Sequence, residues 1–180
     1  GLDGLLIPKA NGAQDIEKIS NYLDALEARA GMQAGSVKIT VVATETATAM
    51  FNLSSYAPPS PRLAGLTWGA EDLGAVVGAS DNKEADGNWT FPFQLARSQC
   101  LFAAAAAEVE PIDTLYANFK DPDGLAEDCR KSRRDGFTGR IAIHPAQIDI
   151  INECFSPSSQ EIEHAKRVIK AFKDNPGVGT

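Results

Sequence analysis

The sequence predicts an α/β fold on parallel strands, with a closed TIM-type (β/α)8 barrel favoured over an open doubly wound sheet. Three observations carry that expectation. Five segments repeat one order, a short apolar run, a loop with polar or Gly residues, then a helical pattern. The runs are short and apolar throughout, as parallel strands covered on both faces are. The first run is followed by Pro8-Lys9-Ala10-Asn11-Gly12 and not by the GxGxxG turn of a dinucleotide-binding sheet. Five units cannot close an eight-unit barrel, so either three units lie outside this sequence or the fold is not this barrel.

The expected strands are Leu5-Leu6-Ile7, Ile39 to Ala43, Leu63 to Thr67, Ile112 to Tyr116 and Ile141-Ala142-Ile143. Between the first two, Ile16, Ile19, Leu23 and Leu26 recur at helical spacing and define one apolar face. A second helix is expected from about Phe93 to Val109. A third runs from about Pro122 to Arg134 and stops at Asp135-Gly136. Ser158 and Glu161 form a capping box that opens a last helix through Ile162, Ala165, Ile169 and Phe172, stopped by Pro176-Gly177. Ser80 to Thr90 reads as an exposed loop and Ser54 to Arg62 as a proline-rich connection. Neither is a domain boundary, because strand–helix units continue on both sides.

Composition narrows the function. The 180 residues are 43% hydrophobic and 23% charged, with a net charge of −7. That is ordinary for a globular domain and opposite in sign to a nucleic-acid footprint. No run approaches the roughly 20 apolar residues of a membrane helix, the longest being Leu101 to Ala107. Cys100, Cys129 and Cys154 are odd in number and lack CxxC spacing, and read as reduced thiols of a cytoplasmic enzyme. The chain opens without an initiator Met or leader pattern and enters a strand almost at once, and is read as a fragment or processed chain.

In a (β/α)8 barrel the chemistry sits at the C-terminal ends of the strands. The polar residues there are Lys9, Glu45, Glu71 with Asp72, Asn118 or Lys120, and His144. Asn118 and Lys120 read as ordinary loop polars. Glu45 follows the apolar Val41-Val42-Ala43-Thr44, where a carboxylate needs a metal, a cation or strong donors. With Asp72 on the next strand it suits Mg²⁺, which prefers oxygen ligands and keeps positions open for water and substrate. The alternative is a Glu45–Lys9 or Asp72–Lys9 ion pair without metal. His144, held extended by Pro145, is a hydrogen-bond donor behind the site, a substrate contact or a cap on the following helix. His164 reads as a surface residue.

Several stretches resemble the HpcH/HpaI aldolase/citrate lyase family, in its citrate lyase beta subunit-like (malyl-CoA/citramalyl-CoA lyase-like) branch. They are Asp3 to Lys9 (DGLLIPK), Thr44 to Ala47 (TETA), Ala64 to Leu73 (AGLTWGAEDL), Ala96-Arg97-Ser98, Ile143 to Ile148 (IHPAQI) and Phe155 to Ser158 with Glu161 and Ala165. The resemblance spans nearly the whole chain in order.

The resemblance implies a (β/α)8 barrel in which this chain covers about strands 4 to 8. Residues 1–180 would then be one partial barrel domain. The N-terminal strands, with a substrate-binding Arg, and a C-terminal extension bearing an acid/base Asp would lie outside it. The resemblance further implies a homotrimer or hexamer, and Mg²⁺ (or Mn²⁺) held by Glu45 and Asp72. Its substrates would be 3-hydroxy-dicarboxylic acyl thioesters on coenzyme A or an acyl carrier protein, of citryl, malyl or citramalyl type. Cleavage would yield an acyl thioester and a 2-oxo acid; the strand-end reading adds Lys9 and His144 as candidate catalytic groups. Two departures bear on substrate choice: Thr44-Glu45-Thr46 stands where Ile-Glu-Thr is usual, and Asn52 to Tyr56 is an unfamiliar continuation. The competing functions are a class II aldolase acting on free 2-oxo-4-hydroxy acids and a non-catalytic subunit of a lyase complex.

Overall fold

Five short strands, β1 (Gly4–Ile7), β2 (Lys38–Val42), β3 (Leu63–Thr67), β4 (Glu110–Asp113) and β5 (Gly139–Arg140), pair in the order of the chain, every pair parallel. The structure, a computed structural model, describes residues 2–175. A doubly wound sheet reverses its strand order at a switch point; this one never does. Because parallel crossovers are right-handed, an unreversed order puts every connecting helix on the same face. The sheet is therefore a partial barrel, five consecutive staves of a wall.

The two faces differ accordingly. Ile39 and Val41 of β2, Leu66 of β3 and Trp68 beyond it are buried against Ile16 and Leu23 of α1 (Ala13–Ala30) and Phe93, Ala96, Cys100 and Ala104 of α4 (Phe91–Ala106). The alanines of α4 let that helix settle close to the strands. On the other face Leu6 lies in register with Thr40, and Leu6 is 48% exposed.

Other helices complete the units: α2 (Ala47–Asn52), α3 (Ala70–Val77), α5 (Pro122–Asp135), α6 (Ile148–Phe155) and α7 (Ser159–Asp174). The short α2, α3 and α6 have too few turns to announce themselves by periodicity. Thr46 starts α2 by accepting the Ala49 N–H. Gly136 ends α5 with left-handed backbone, and the Ser158–Glu161 capping box forms at the start of α7. His164 is exposed on α7, as expected, and the Pro176-Gly177 stop lies outside the described residues. In α5 and α6, Leu125, Cys129 and Ile151 form a second small core.

Three expectations need correction. Leu26 is 57% exposed, and its neighbour Glu27 is buried instead. The Glu27 carboxylate accepts the N–H groups of Gly35 and Val37 and two bonds from Arg62, which also pairs with Asp24. These donors hold the Glu27 carboxyl far below its usual range, outweighing burial. β4 begins and ends earlier than expected, because the Thr114 N–H turns to the Asp113 carboxylate and leaves the ladder. β5 is Gly139–Arg140, not Ile141 to Ile143. The Ile141 N–H makes a last bond to the Asp113 carbonyl, and the Ile143 N–H goes to Gln147 Oε1.

Candidate metal site

The strand ends bring Lys9, Glu45 and Asp72 together. Lys9 follows β1 with left-handed backbone (φ 55°), rare for a side-chain-bearing residue and a conformation that persists only where its surroundings fix it. Its N–H donates to Glu45 Oε2 at 2.5 Å, and its Nζ reaches Asp72 Oδ1 at 2.7 Å. One residue thus touches both carboxylates, through backbone and side chain. Of the two ion pairs the sequence allowed, the one that forms is Lys9–Asp72.

Glu45 is held from behind. Thr44, fully buried, accepts the Gly69 N–H through Oγ1 at 3.2 Å, tying the end of β2 to the turn after β3. A Cβ on Gly69 would stand 2.9 Å from Glu45 Cγ, so glycine here leaves room for the glutamate. Asp72 lies in the first turn of α3, where a negative charge suits the helix N-terminus. Glu71 beside it points to solvent.

The electrostatics separate the two acids. Burial raises the Glu45 pKa and the adjacent Asp72 charge adds to the rise, while the Lys9 N–H works against both. Asp72 is lowered, chiefly by its hydrogen bond from the Lys9 ammonium. Two acids so placed are an unfavourable anion pair that a divalent cation would relieve. Among the described residues no third His, Cys, Asp or Glu joins them. Two carboxylates with the remaining positions free for water and substrate match how Mg²⁺ is usually held.

His144 is on the same edge of the sheet but in another setting. Its Nδ1 accepts the Ala146 N–H at 3.1 Å and caps the 3-10 turn Pro145–Gln147. Its ring stacks on Phe119 at 4.6 Å, beside the exposed Asn118 and Lys120. With Nδ1 accepting, the neutral ring carries its proton on Nε2.

Sequence reasoning missed a second polar cluster. Asp113, at the end of β4 and 1% exposed, receives Trp68 Nε1 at 2.5 Å, Ser132 Oγ at 2.6 Å, Arg97 Nη2 at 2.9 Å and Arg140 Nη2 at 3.3 Å. Burial would raise its pKa, but Arg97, Arg140 and Ser132 leave it lowered. The signal was a carboxylate inside an apolar run, the same that marked Glu45. The cysteines are free, and burial pushes Cys100 up to about 12 and Cys129 up to about 11, away from thiolate chemistry.

Known proteins share this architecture. The chain is 36% identical over 172 residues to a (3S)-malyl-CoA thioesterase of Cereibacter sphaeroides, covering 96% of this chain and 54% of the relative. It is 31% identical to citrate lyase subunit beta of Haemophilus influenzae, covering 95% of this chain and 57% of the relative. Protein CitE of Mycobacterium tuberculosis, solved with magnesium, acetoacetate and coenzyme A, superposes with a TM-score of 0.71 at 29% identity, over 99% of this chain and 60% of that one. The chain thus spans about half the length of the curated relatives it matches. Residues 1–145 match the profile of the HpcH/HpaI aldolase/citrate lyase family, and the chain belongs to that family.

Proposed function

We propose that this chain is the metal-binding part of a carbon–carbon lyase that cleaves a 3-hydroxy-dicarboxylic acyl thioester of citryl, malyl or citramalyl type. The observation that carries the reading is the convergence of Glu45 and Asp72 on Lys9 at the ends of β1, β2 and β3. Support comes from the relatives, named for malyl-CoA and citrate chemistry, and from a neighbour solved with magnesium and coenzyme A. Residues 1–180 are read as one partial barrel domain of a longer protein. The cytoplasmic setting is proposed on the three free thiols; among the described residues no helix is long and apolar enough to cross a membrane.

In the proposed reaction the C2–C3 bond of the acyl chain breaks, the hydroxyl-bearing carbon becoming the carbonyl of a 2-oxo acid. The substrate's hydroxyl gives up its proton to a base, and the electron pair of the broken bond passes to the α-carbon of the thioester as an enolate. The enolate takes up a proton to give the acyl thioester. A metal at this site would supply Lewis acidity to the substrate's hydroxyl and carboxylate oxygens. Glu45 and Asp72 would hold it, with Mg²⁺ the first choice and Mn²⁺ the second. Lys9 would bring a positive charge to the edge of the site, available to stabilise the negative charge of the enolate. His144 offers its Nε2–H to the substrate from the β5 side of the sheet edge.

The test is product analysis with the full-length protein, Mg²⁺ and malyl-, citramalyl- or citryl-CoA. A 2-oxo acid should appear with an acyl-CoA, and Glu45→Ala or Asp72→Ala should abolish it. Turnover of a free 2-oxo-4-hydroxy acid, with every thioester untouched, would sink the reading. The 36% identity to a malyl-CoA thioesterase favours one further reading, hydrolysis of the thioester itself. The same assay separates the two, since hydrolysis releases the free thiol and the intact hydroxy acid.

A further inference from the structure

Lys9 holds an Asp72 oxygen that a metal ion shared by Glu45 and Asp72 would need. Its ammonium is 2.7 Å from Asp72 Oδ1, while its uncharged backbone N–H fixes Glu45 Oε2, so one residue holds both carboxylates and its charge sits on the Asp72 side. Among the described residues Lys9 is the cation that pairs with Asp72. The two holds differ in kind. The N–H is part of a backbone locked at φ 55°, whereas the side chain is 62% exposed and rides on four flexible methylenes. A divalent ion bound to Asp72 and Glu45 would face the ammonium across a few ångströms. The like charges repel, and the Asp72 oxygen that Nζ now holds is wanted by the ion. The ammonium can swing into solvent while the N–H keeps Glu45 in position.

We infer that Lys9 is an exchangeable internal counter-ion: it offsets the Asp72 charge of the Glu45–Asp72 pair without metal and leaves Asp72 when a divalent ion enters. The inference rests on the reading that Glu45 and Asp72 hold such an ion. It assigns Lys9 opposite effects on the two states. Lys9 stabilises the metal-free form and weakens metal binding, so that metal entry also releases an ammonium beside the substrate's position.

The experiment is Mg²⁺ titration by calorimetry, with melting curves in EDTA and in Mg²⁺, on the full-length protein and its Lys9→Met variant. Methionine keeps the side-chain length and the backbone N–H, and bears the same positive φ, but has no charge. The variant should bind Mg²⁺ roughly three- to tenfold more tightly, the scale expected for removing one partly exposed like charge. It should melt lower than wild type in EDTA and gain more from added Mg²⁺. Lys9→Gln, which keeps a donor toward Asp72, should fall between the two and serves if the methionine variant does not fold. Folded variants that bind Mg²⁺ no better than wild type would overturn the exchange while leaving the metal assignment standing. No Mg²⁺ binding by wild type or variants, or binding that survives Glu45→Ala, would remove the metal assignment and the exchange together.

Discussion

Two carboxylate clusters stand at neighbouring strand ends of one sheet and are built on opposite plans. Asp113, the last residue of β4, is sealed: an indole, a hydroxyl, a backbone N–H and two guanidiniums converge on its two oxygens. Glu45 and Asp72, after β2 and β3, are part-exposed, and among the described residues each takes one bond, both from Lys9. A buried charge survives only if its bonding capacity is filled, and once filled it has nothing left to offer a ligand. Unfilled capacity at a solvent-reachable strand end is what a metal or substrate needs. Asp113 therefore reads as a clamp joining β3, β4, β5, α4 and α5, and Glu45–Asp72 as a working site.

Mutation should separate the two most sharply through stability. Asp113→Ala takes the shared buried acceptor from Trp68, Ser132, Arg97 and Arg140. Although Arg140 keeps Asp128 at 2.7 Å, the change should cost about 3 kcal/mol, the low end for breaking a buried ion pair, read as a fall in the urea midpoint. Glu45→Ala and Asp72→Ala should each change stability by less than about 1 kcal/mol while abolishing Mg²⁺-dependent turnover. A fully stable Asp113→Ala protein would erase the distinction. The same clamp has an acid signature. The Asp113 pKa is lowered from 3.8 in the folded protein, so its contribution is complete above that value and fades as pH falls toward the folded-state pKa. Stability should thus drop below about pH 4 in wild type, and less steeply in Asp113→Asn.

The contrast also explains what could be read from sequence. The first three strands, α1, α4, α5 and α7 repeat a period or carry a cap, and these local signals agree with the fold. Glu45 and Asp72 were visible because each lies within a few residues of the end of an apolar strand. Asp113 sits in Ile112-Asp113-Thr114, an equally clear misfit, but Trp68, Arg97, Ser132 and Arg140 come from separate elements, and no local pattern announces that they meet. Glu27 was hidden for the same reason. Its partner Arg62 lies 35 residues away, and helical periodicity assigned the buried place to Leu26. β5 was misplaced because its two residues are Gly and Arg, and the apolar Ile141 to Ile143 lies just past the ladder.

Gly69 tests how closely the working site is built. An added methyl would meet Glu45 Cγ at 2.9 Å, and the flexible glutamate, not the backbone, would yield. Gly69→Ala should therefore weaken Mg²⁺ binding about tenfold, at the low end of what misplaced supporting groups cost, with little change in melting temperature. Unchanged affinity would mean that Glu45 reaches its ligand position by other routes.

The smallest effect expected is at His144, where the two plans meet in one ring. Nδ1 is spent on the Ala146 N–H, a structural duty, which leaves Nε2–H as the group available to a substrate. Asparagine separates the roles, since its side-chain oxygen is a good N-terminal cap but it has no imidazole. His144→Asn should keep stability within about 0.5 kcal/mol of wild type, while His144→Ala should lose about 1 kcal/mol with the cap. If Nε2–H meets the substrate, both variants should lose turnover by up to about tenfold, the worth of one hydrogen bond of ~1.4 kcal/mol. Turnover that follows stability instead, intact in the asparagine variant, would make His144 a cap alone and leave the chemistry of this edge to Lys9, Glu45 and Asp72.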